Sequence, residues 1–324
     1  MKRMTFLSVG VLLAACGVAA GQIGRWSDRW DAINIALPYV AVPVSLAAIA
    51  VLAAAWRRDR RRARWPATVA LLVLLAGPLP LLLGEWLGHK TPHCTGEPLR
   101  IVQFNAWKDN RATPSAARWI RLVDPDLVLL EEAHATRPLP TLLREAYPYR
   151  QSCIGPSFCS TAILAKTRPL ASGGLARADP ENRGALSAAW MRIEGVRGPF
   201  TVVAVHLGRP WPFARFVGDR DQLAGFVRAQ PAATTIVAGD FNLPGWTFQL
   251  HRLEAAMAVP RRSFALPSWP ALVDGRRTPM PVLPIDHLFA GSGWSVVALR
   301  RGPFLGSDHF PLVVDLRRCA GGNT

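Results

Sequence analysis

The chain has 324 residues and a formal net charge of +16, a length that bounds it to one large domain or two ordinary ones. Half of the residues are hydrophobic, and the excess is concentrated at the N-terminus. There is no internal repeat or long low-complexity tract, and no Cys-x-x-Cys or His-x-x-His spacing appears, which argues against a zinc site.

Met4 to Gln22 is nearly free of charge and follows Lys2-Arg3. Ala32 to Trp56 is a second apolar run, with Pro38 and Pro43 inside it. Ala67 to Gly84 is a third, with Pro78 and Pro80. Each is long enough to cross a hydrocarbon core of about 30 Å as a helix, and proline is tolerated in such helices. The sequence therefore predicts three spans. Between the second and third, residues Arg57 to Arg64 carry six Arg and one Asp. Such a block stays in the cytoplasm, and Lys2-Arg3 agrees, because two crossings return the chain to the same side. The block is a topology signal rather than a nucleic-acid patch. Everything after the third span is then expected outside the cytoplasm. Leu13-Ala14-Ala15-Cys16 resembles a lipoprotein cleavage site, but the apolar run continues past Cys16 and we read it as a small residue within the first span.

Cys94, Cys153, Cys159 and Cys319 fall in the part expected outside, where disulfides persist. Cys153 and Cys159 are close enough to close a small loop, and Cys94 and Cys319 flank the segment and could tie its ends. Four cysteines allow three pairings. Residues 98–324 hold 27 Lys/Arg against 17 Asp/Glu, so this part is basic in its own right. A basic face suits anionic lipid headgroups, other phosphorylated substrates or DNA; general arginine enrichment accounts for it as well.

Gly88 to Pro98 reads as a linker. Leu99 to Asn105 alternates as a strand, Pro114 to Val123 has helical spacing, and Pro125 to Glu132 is a buried strand ending in two carboxylates. Pro138 to Tyr147 reads as a helix, and Thr161 to Leu164 and Leu186 to Ile193 as strands. Phe200 to Val205 is a strand that ends at His206. Phe216 to Ala229 is a helix. Thr234 to Val237 is a strand running into Ala238-Gly239-Asp240-Phe241-Asn242-Leu243-Pro244. Thr247 to Met257 is helical. Val282 to Phe289 contains a strand with Asp286 inside it, Trp294 to Leu299 is another, and Gly306-Ser307-Asp308-His309 is a loop before a last strand, Pro311 to Leu316.

Gly239 lets the backbone approach a neighbour closely. Asp240 and Asn242 are hard oxygen donors suited to Mg²⁺ or Mn²⁺, although the same residues make an ordinary Asx turn. The rest of the chain decides the matter. Strand after strand ends in, or carries, a residue suited to metal or proton chemistry: Asn105, Glu132, His206, Asp240, Asn242, Asp286, Asp308 and His309; a packed β core brings such strand ends to one rim.

The ordered set Phe104-Asn105, Asp126 to Glu132, Val205-His206-Leu207, Gly239-Asp240-Phe241-Asn242, Ile285-Asp286-His287 and Ser307-Asp308-His309 resembles the endonuclease/exonuclease/phosphatase superfamily. The resemblance covers about residues 98–318. It implies a four-layer α/β sandwich, two packed mixed β-sheets flanked by helices, here preceded by three transmembrane helices. The corresponding organisation is a membrane anchor at 1–88, a linker at 89–97, a catalytic domain at 98–318 and a tail at 319–324. The N-terminus further resembles a bacterial membrane-anchored subgroup.

The chemistry implied is in-line attack of water on phosphorus. By the resemblance, Glu132 holds the divalent ion with Asn105 and Asp308 helping, while Asp240 and Asn242 orient the water or the phosphate. His309 acts as general base or phosphate stabiliser, with Asp286 fixing its tautomer and charge. His206 contacts the phosphate and could donate the leaving-group proton. The family usually has Gln-Glu where this chain has Glu131-Glu132, so Glu131 is an extra carboxylate that sits near the metal or faces away. Side chains alternate along a strand, which sets His287 on the side opposite Asp286; we read it as a core or surface residue, as we do His89, His93, His134 and His251.

Three functions follow as expectations. The first is a Mg²⁺- or Mn²⁺-dependent phosphohydrolase on the outer face of the inner membrane, acting on a lipid-linked phosphate or pyrophosphate. A tethered site meets lipid substrates at high effective concentration, and Trp211 and Trp246 could dip into the interface, although packing in loops accounts for both. The second is a tethered nuclease, which the basic charge fits equally. The third is a catalytically silent domain, against which the intact residue set argues. No protein partner is inferable.

Overall fold

A computed structural model of the chain describes residues 2–88, 94–133, 138–153, 159–175, 186–210, 213–278 and 280–319. Trp211, His89, His93 and His134, singled out above, lie outside them. The described chain divides into two units: Met1–Leu87 with Pro244–His251, and Gly88–Leu243 with Arg252–Thr324.

The first unit is helical. It contains α1 (Lys2–Ala20), the short α2 (Asp28–Asp31), α3 (Leu37–Arg57), α4 (Arg61–Ala76) and α5 (Pro78–Leu87). Two stretches, Arg3–Arg25 and Asp28–Arg57, are long and apolar enough to cross a membrane. The third expected span is not one straight helix. It bends by 45° between α4 and α5, where Gly77 precedes Pro78, whose ring nitrogen has no proton for the helix ladder. It reaches spanning length only as the bent pair.

Within this unit Asp31 is fully buried. Its carboxylate accepts the backbone N–H groups of Phe248 (3.1 Å) and Gln249 (2.7 Å) and the Asn34 side-chain amide (2.7 Å). The first two are open donors of a helix start, which a carboxylate satisfies well. Trp246 is buried and donates its indole N–H to the Asn34 carbonyl at 2.6 Å, so packing is its observed role here.

The second unit holds β1 (Pro98–Asn105), α6 (Thr113–Val123), β2 (Leu127–Glu131), α7 (Pro138–Leu142), β3 (Tyr149–Ser152), β4 (Ala162–Ala165), β5 (Ala171–Leu175), β6 (Ser187–Ile193) and β7 (Phe200–His206). Next come α8 (Phe213–Arg228), β8 (Thr235–Asp240), α9 (Phe248–Met257, of which Arg252 onward belongs here), β9 (Leu272–Val273), β10 (Arg276–Arg277), β11 (Asp286–Ala290), β12 (Trp294–Arg301) and β13 (Leu312–Arg318). One large sheet has the order β12-β13-β1-β2-β4-β3 and the second β11-β8-β7-β6-β5, while β9 and β10 pair as a separate two-stranded sheet. Each large sheet is mixed: β1 and β2 are parallel, as are β7 and β8, while their other neighbours are antiparallel. Helices α6 and α7 cover the outer face of the first sheet through Ala117, Ile120 and Leu139 on Phe104, Val128 and Leu130. Phe226 of α8 packs on Trp190 of β6 across the second sheet, with ring centroids 5.8 Å apart.

The faces of the two sheets that meet are apolar. Ile101, Leu129, Ala204, Ile236, Ala238 and Leu288 share one core, and a run of such residues removes water from the gap between the sheets. Because side chains alternate with period two, the same face continues toward the strand ends through Gln103, Asn105, Glu131, His206, Asp240 and Asp286. Strand register completes the alignment. Asn105 is opposite Glu131 in the first sheet, and His206, Asp240 and Asp286 form one row across the second.

Gly239 has φ +154°, and a Cβ there would meet the Val205 carbonyl. The close approach expected of this glycine is to strand β7. Several boundaries differ from those expected of the sequence, among them that of α7, which ends at Leu142 rather than Tyr147. Strand β2 stops at Glu131, and Glu132 turns away with φ +51°. Asp286 opens β11 rather than lying inside it. Disulfides join Cys94 to Cys319 and Cys153 to Cys159, which selects one of the three pairings.

Candidate active site

Asp240 is the hub of the rim. Its carboxylate is buried, and Oδ1 accepts the backbone N–H of Asn242 at 2.9 Å, the local Asx turn that follows the strand. Oδ2 accepts Nδ2 of Asn105 at 3.0 Å and lies 3.7 Å from His206 Nε2 and 3.6 Å from His309 Nε2. Burial raises the Asp240 carboxyl above its ordinary value, and the two histidines pull it back.

His309 is held from the other side by Asp286, whose Oδ2 accepts Nδ1 at 2.8 Å. The same oxygen accepts the Ser268 hydroxyl, and Oδ1 accepts the Gln103 amide at 2.8 Å. Burial alone would push the His309 imidazole down. The Asp286 and Asp240 carboxylates outweigh it and carry the group up to about 10. His309 is therefore an imidazolium at neutral pH, placed between two carboxylates. Asp286 is held below its ordinary value, since His309 and three hydrogen bonds outweigh its burial.

Ser307 and Asp308 set the loop that carries His309. The Ser307 hydroxyl donates to the Asn105 carbonyl at 2.6 Å, and its oxygen accepts the His309 backbone N–H at 3.1 Å. Asp308 accepts the Trp269 indole N–H at 3.3 Å. Burial raises the Asp308 carboxyl, His309 opposes the rise, and the Glu132 carboxylate adds to it. Glu132 accepts the Lys108 backbone N–H at 3.1 Å. Asn105 Oδ1 accepts the Trp107 N–H at 3.0 Å.

Glu132, Asp308 and Asn105 thus offer an all-oxygen set in which one carboxylate raises the other. That is the donor chemistry of a hard divalent cation, and these residues fit the ion expected from the sequence. A second group, Asp240, Asp286 and His309, also brings one ligand atom each within 4.8 Å of the others. In that group His309 Nδ1 and both Asp286 oxygens are engaged with each other, Ser268 and Gln103, which ties it to holding the His309 ring.

The structure brings His206, Asn105, Asp240, Asp286 and His309 into one connected network. Asn242 joins it through its backbone, while its side chain donates to the Leu207 carbonyl at 2.8 Å. Glu132 and Asp308 interact beside it. His287 is elsewhere: Nδ1 pairs with Ser263 at 3.1 Å and Nε2 with the Leu243 carbonyl at 2.8 Å. His251 Nε2 pairs with the Gly245 carbonyl at 2.9 Å. Glu131 does not face away. It points between the sheets, and the charges of Asp286 and Asp240 act on it. Sequence reasoning passes over Gln103, Ser268 and the hydroxyl of Ser307. Gln103 carries a signal, since it shares a strand face with Asn105; Ser268 carries none.

Comparison with known proteins agrees with this architecture. A family model described as the endonuclease/exonuclease/phosphatase family matches residues 102–309. Comparison with curated proteins gives no match. Among solved structures, an endonuclease/exonuclease/phosphatase from Beutenbergia cavernae is 20% identical with a TM-score of 0.56, covering 70% of this chain and 73% of that one. Sphingomyelinase C from Streptomyces griseocarneus is 15% identical with a TM-score of 0.50, covering 68% and 99%. A mutant of beta toxin from Staphylococcus aureus, with bound magnesium ions, is 15% identical with a TM-score of 0.50, covering 67% and 99%. At such identities the likeness is one of fold.

Proposed function

The chain belongs to the endonuclease/exonuclease/phosphatase family, and from that premise we propose that it is a membrane-anchored, divalent-metal-dependent phosphohydrolase acting outside the cytoplasm on a lipid-linked phosphate or pyrophosphate. One observation carries the reading: the complete rim network, from Asn105 to His309, sits in the same chain as two helices long and apolar enough to span a membrane. Tethering raises the effective concentration of a bilayer-borne substrate. The arginine block at residues 57–64 supports a cytoplasmic loop there, and hence a catalytic unit on the outer side.

Each residue then has work that its position allows. Glu132, Asp308 and Asn105 would hold Mg²⁺ or Mn²⁺, which when bound neutralises phosphate oxygens as a Lewis acid. The His309 imidazolium offers its Nε2–H to a phosphate oxygen where negative charge grows during attack. Asp286 keeps that ring charged and oriented. Asp240, accepting from Asn105 and the Asn242 backbone, orients the attacking water and takes its proton. His206, at the half-open edge, protonates the leaving oxygen. Asn242 fixes the turn that presents Asp240.

The test uses full-length protein in lipid nanodiscs with Mg²⁺. Phosphate release from a polyprenyl pyrophosphate is measured beside cleavage of plasmid DNA, with His309→Ala as control. Lipid turnover that vanishes in the variant is the expected result. Plasmid cleavage without lipid turnover would make the chain a tethered nuclease instead.

A further inference from the structure

Beneath the rim lies a polar pair that the proposed chemistry does not use. Gln103 on β1 and Glu131 on β2 are both buried between the sheets. The Gln103 Nε2 donates to Glu131 Oε2 and to Asp286 Oδ1, each at 2.8 Å. A carboxamide nitrogen has two protons, and here each goes to a different carboxyl group on a different sheet. The opposite amide orientation would set the carbonyl oxygen against two carboxyl oxygens, so the hydrogen-bond network fixes the assignment.

The arrangement is asymmetric around Asp286. Its Oδ2 takes the Ser268 hydroxyl and His309 Nδ1, while among the described residues Gln103 is the donor to Oδ1. Gln103 therefore sets the rotation of the carboxylate that aims the His309 ring. Glu131 in turn fixes Gln103. Burial, with the charge of Asp286 adding, raises the Glu131 carboxyl well above its ordinary value. Its Oε1 has no hydrogen-bond partner among the described residues. A buried polar atom left unmatched costs stability, and an apolar residue would fill the space without that cost. The pair lies at the point where the sheet-to-sheet link reaches His309 through Asp286.

We propose that Gln103 and Glu131 are positioning residues: Glu131 orients the Gln103 amide, Gln103 orients the Asp286 carboxylate, and through it the Nδ1–H of His309 is aimed. The kinetic meaning of this rests on the phosphohydrolase reading, whereas the geometry does not.

Two readouts separate the two claims. The first is the downfield proton resonance of the His309 Nδ1–H in full-length protein labelled with ¹⁵N-histidine, assigned by its loss in His309→Gln. It should persist in Glu131→Gln, where an amide oxygen can still accept from Gln103. It should broaden away in Gln103→Met and Glu131→Met. The second is Mg²⁺-dependent turnover of bis(p-nitrophenyl) phosphate. Gln103→Met should lower kcat about tenfold while leaving KM within about twofold, the scale of one hydrogen bond to a charged group. In an Asp286→Asn background the same change should cost less than about twofold, because residues acting through one another are not additive. Thermal unfolding of each variant reports general loss of stability, which would not produce that non-additivity. The proposal is overturned if Gln103→Met keeps the His309 resonance, or if its kcat loss is undiminished beside Asp286→Asn. Absence of turnover by the wild-type chain would count against the phosphohydrolase reading alone, because the His309 resonance still decides the positioning role of Gln103.

Discussion

The two sides of strand β11 hold two histidines that burial alone would treat alike. His287 and His309 are both buried, and both lie beside Asp286. His287 is pushed down to about 3, by burial first and by the Arg261 charge second. Its two ring nitrogens face a serine hydroxyl and a backbone carbonyl. His309 goes up to about 10, because Asp286 and Asp240 more than offset the same burial. The side of the strand decides the partners, and the partners decide the charge. One face of β11 holds a neutral core histidine; the other holds a cation at a rim of carboxylates.

The largest effect should come from removing the charged side. His309→Ala is expected to lower kcat by about 10²–10³-fold, the range for a positioned donor to developing negative charge, as measured by phosphate release. His287→Gln should change kcat far less, since nothing in the network runs through it. Next, Asp286→Asn removes the carboxylate that distinguishes the two environments. It should lower kcat by about 10²-fold, and the His309 proton should be lost at a lower pH than in the wild type.

A smaller effect concerns stability against pH. His309 has a folded value above its ordinary 6.5, so its contribution is complete below 6.5 and is lost as pH rises toward about 10. His287 has a folded value below 6.5, so its contribution is present above 6.5 and is lost as pH falls toward about 3. Thermal unfolding midpoints across pH should therefore show His287→Gln relieving part of the acid-side loss, while leaving the alkaline side as in the wild type. The smallest expected effect concerns Glu132 and Asp308, the pair proposed to hold the metal. Added Mg²⁺ should stabilise the folded state by mass action by about 1–3 kcal/mol at saturating concentrations, read as an increase in the unfolding midpoint. Glu132→Gln should abolish the increase, and Asp308→Asn should reduce it.

Much of the rim is legible in the sequence because strand period and motif order are local signals. Asn105, His206 and Asp240 end apolar strands, and alternation alone sets His287 on the side of its strand opposite Asp286. Glu131 and Glu132 are harder. Alternation separates them only while the strand continues, and the chain turns at Glu132, which frees its side chain from that rule. Asp286 is expected inside its strand because Val282 and Leu283 extend the apolar run, yet it opens the strand because Pro284 has no N–H for a ladder. Strands β3 and β5 escape a sequence reading: Tyr149-Arg150-Gln151-Ser152 and Ala171-Ser172-Gly173-Gly174-Leu175 have weak strand propensity, and their pairing with β4 and β6 supplies it. The bend at Gly77-Pro78 is visible as residues but not as geometry. Ser268 bonds Asp286 at a sequence separation of 18, a contact that no local pattern encodes.

The most direct test of the contrast across β11 is a ¹⁵N titration of the histidine rings in the full-length protein. At about pH 8, well above the ordinary histidine range, His309 should remain protonated on both nitrogens and lose its proton only toward about 10. His287 should stay neutral at about pH 5, below that range, and gain a proton only toward about 3. If both rings titrate together near the ordinary value of 6.5, the partners on the two faces do not set the charge, and the role given to Asp286 and Asp240 fails.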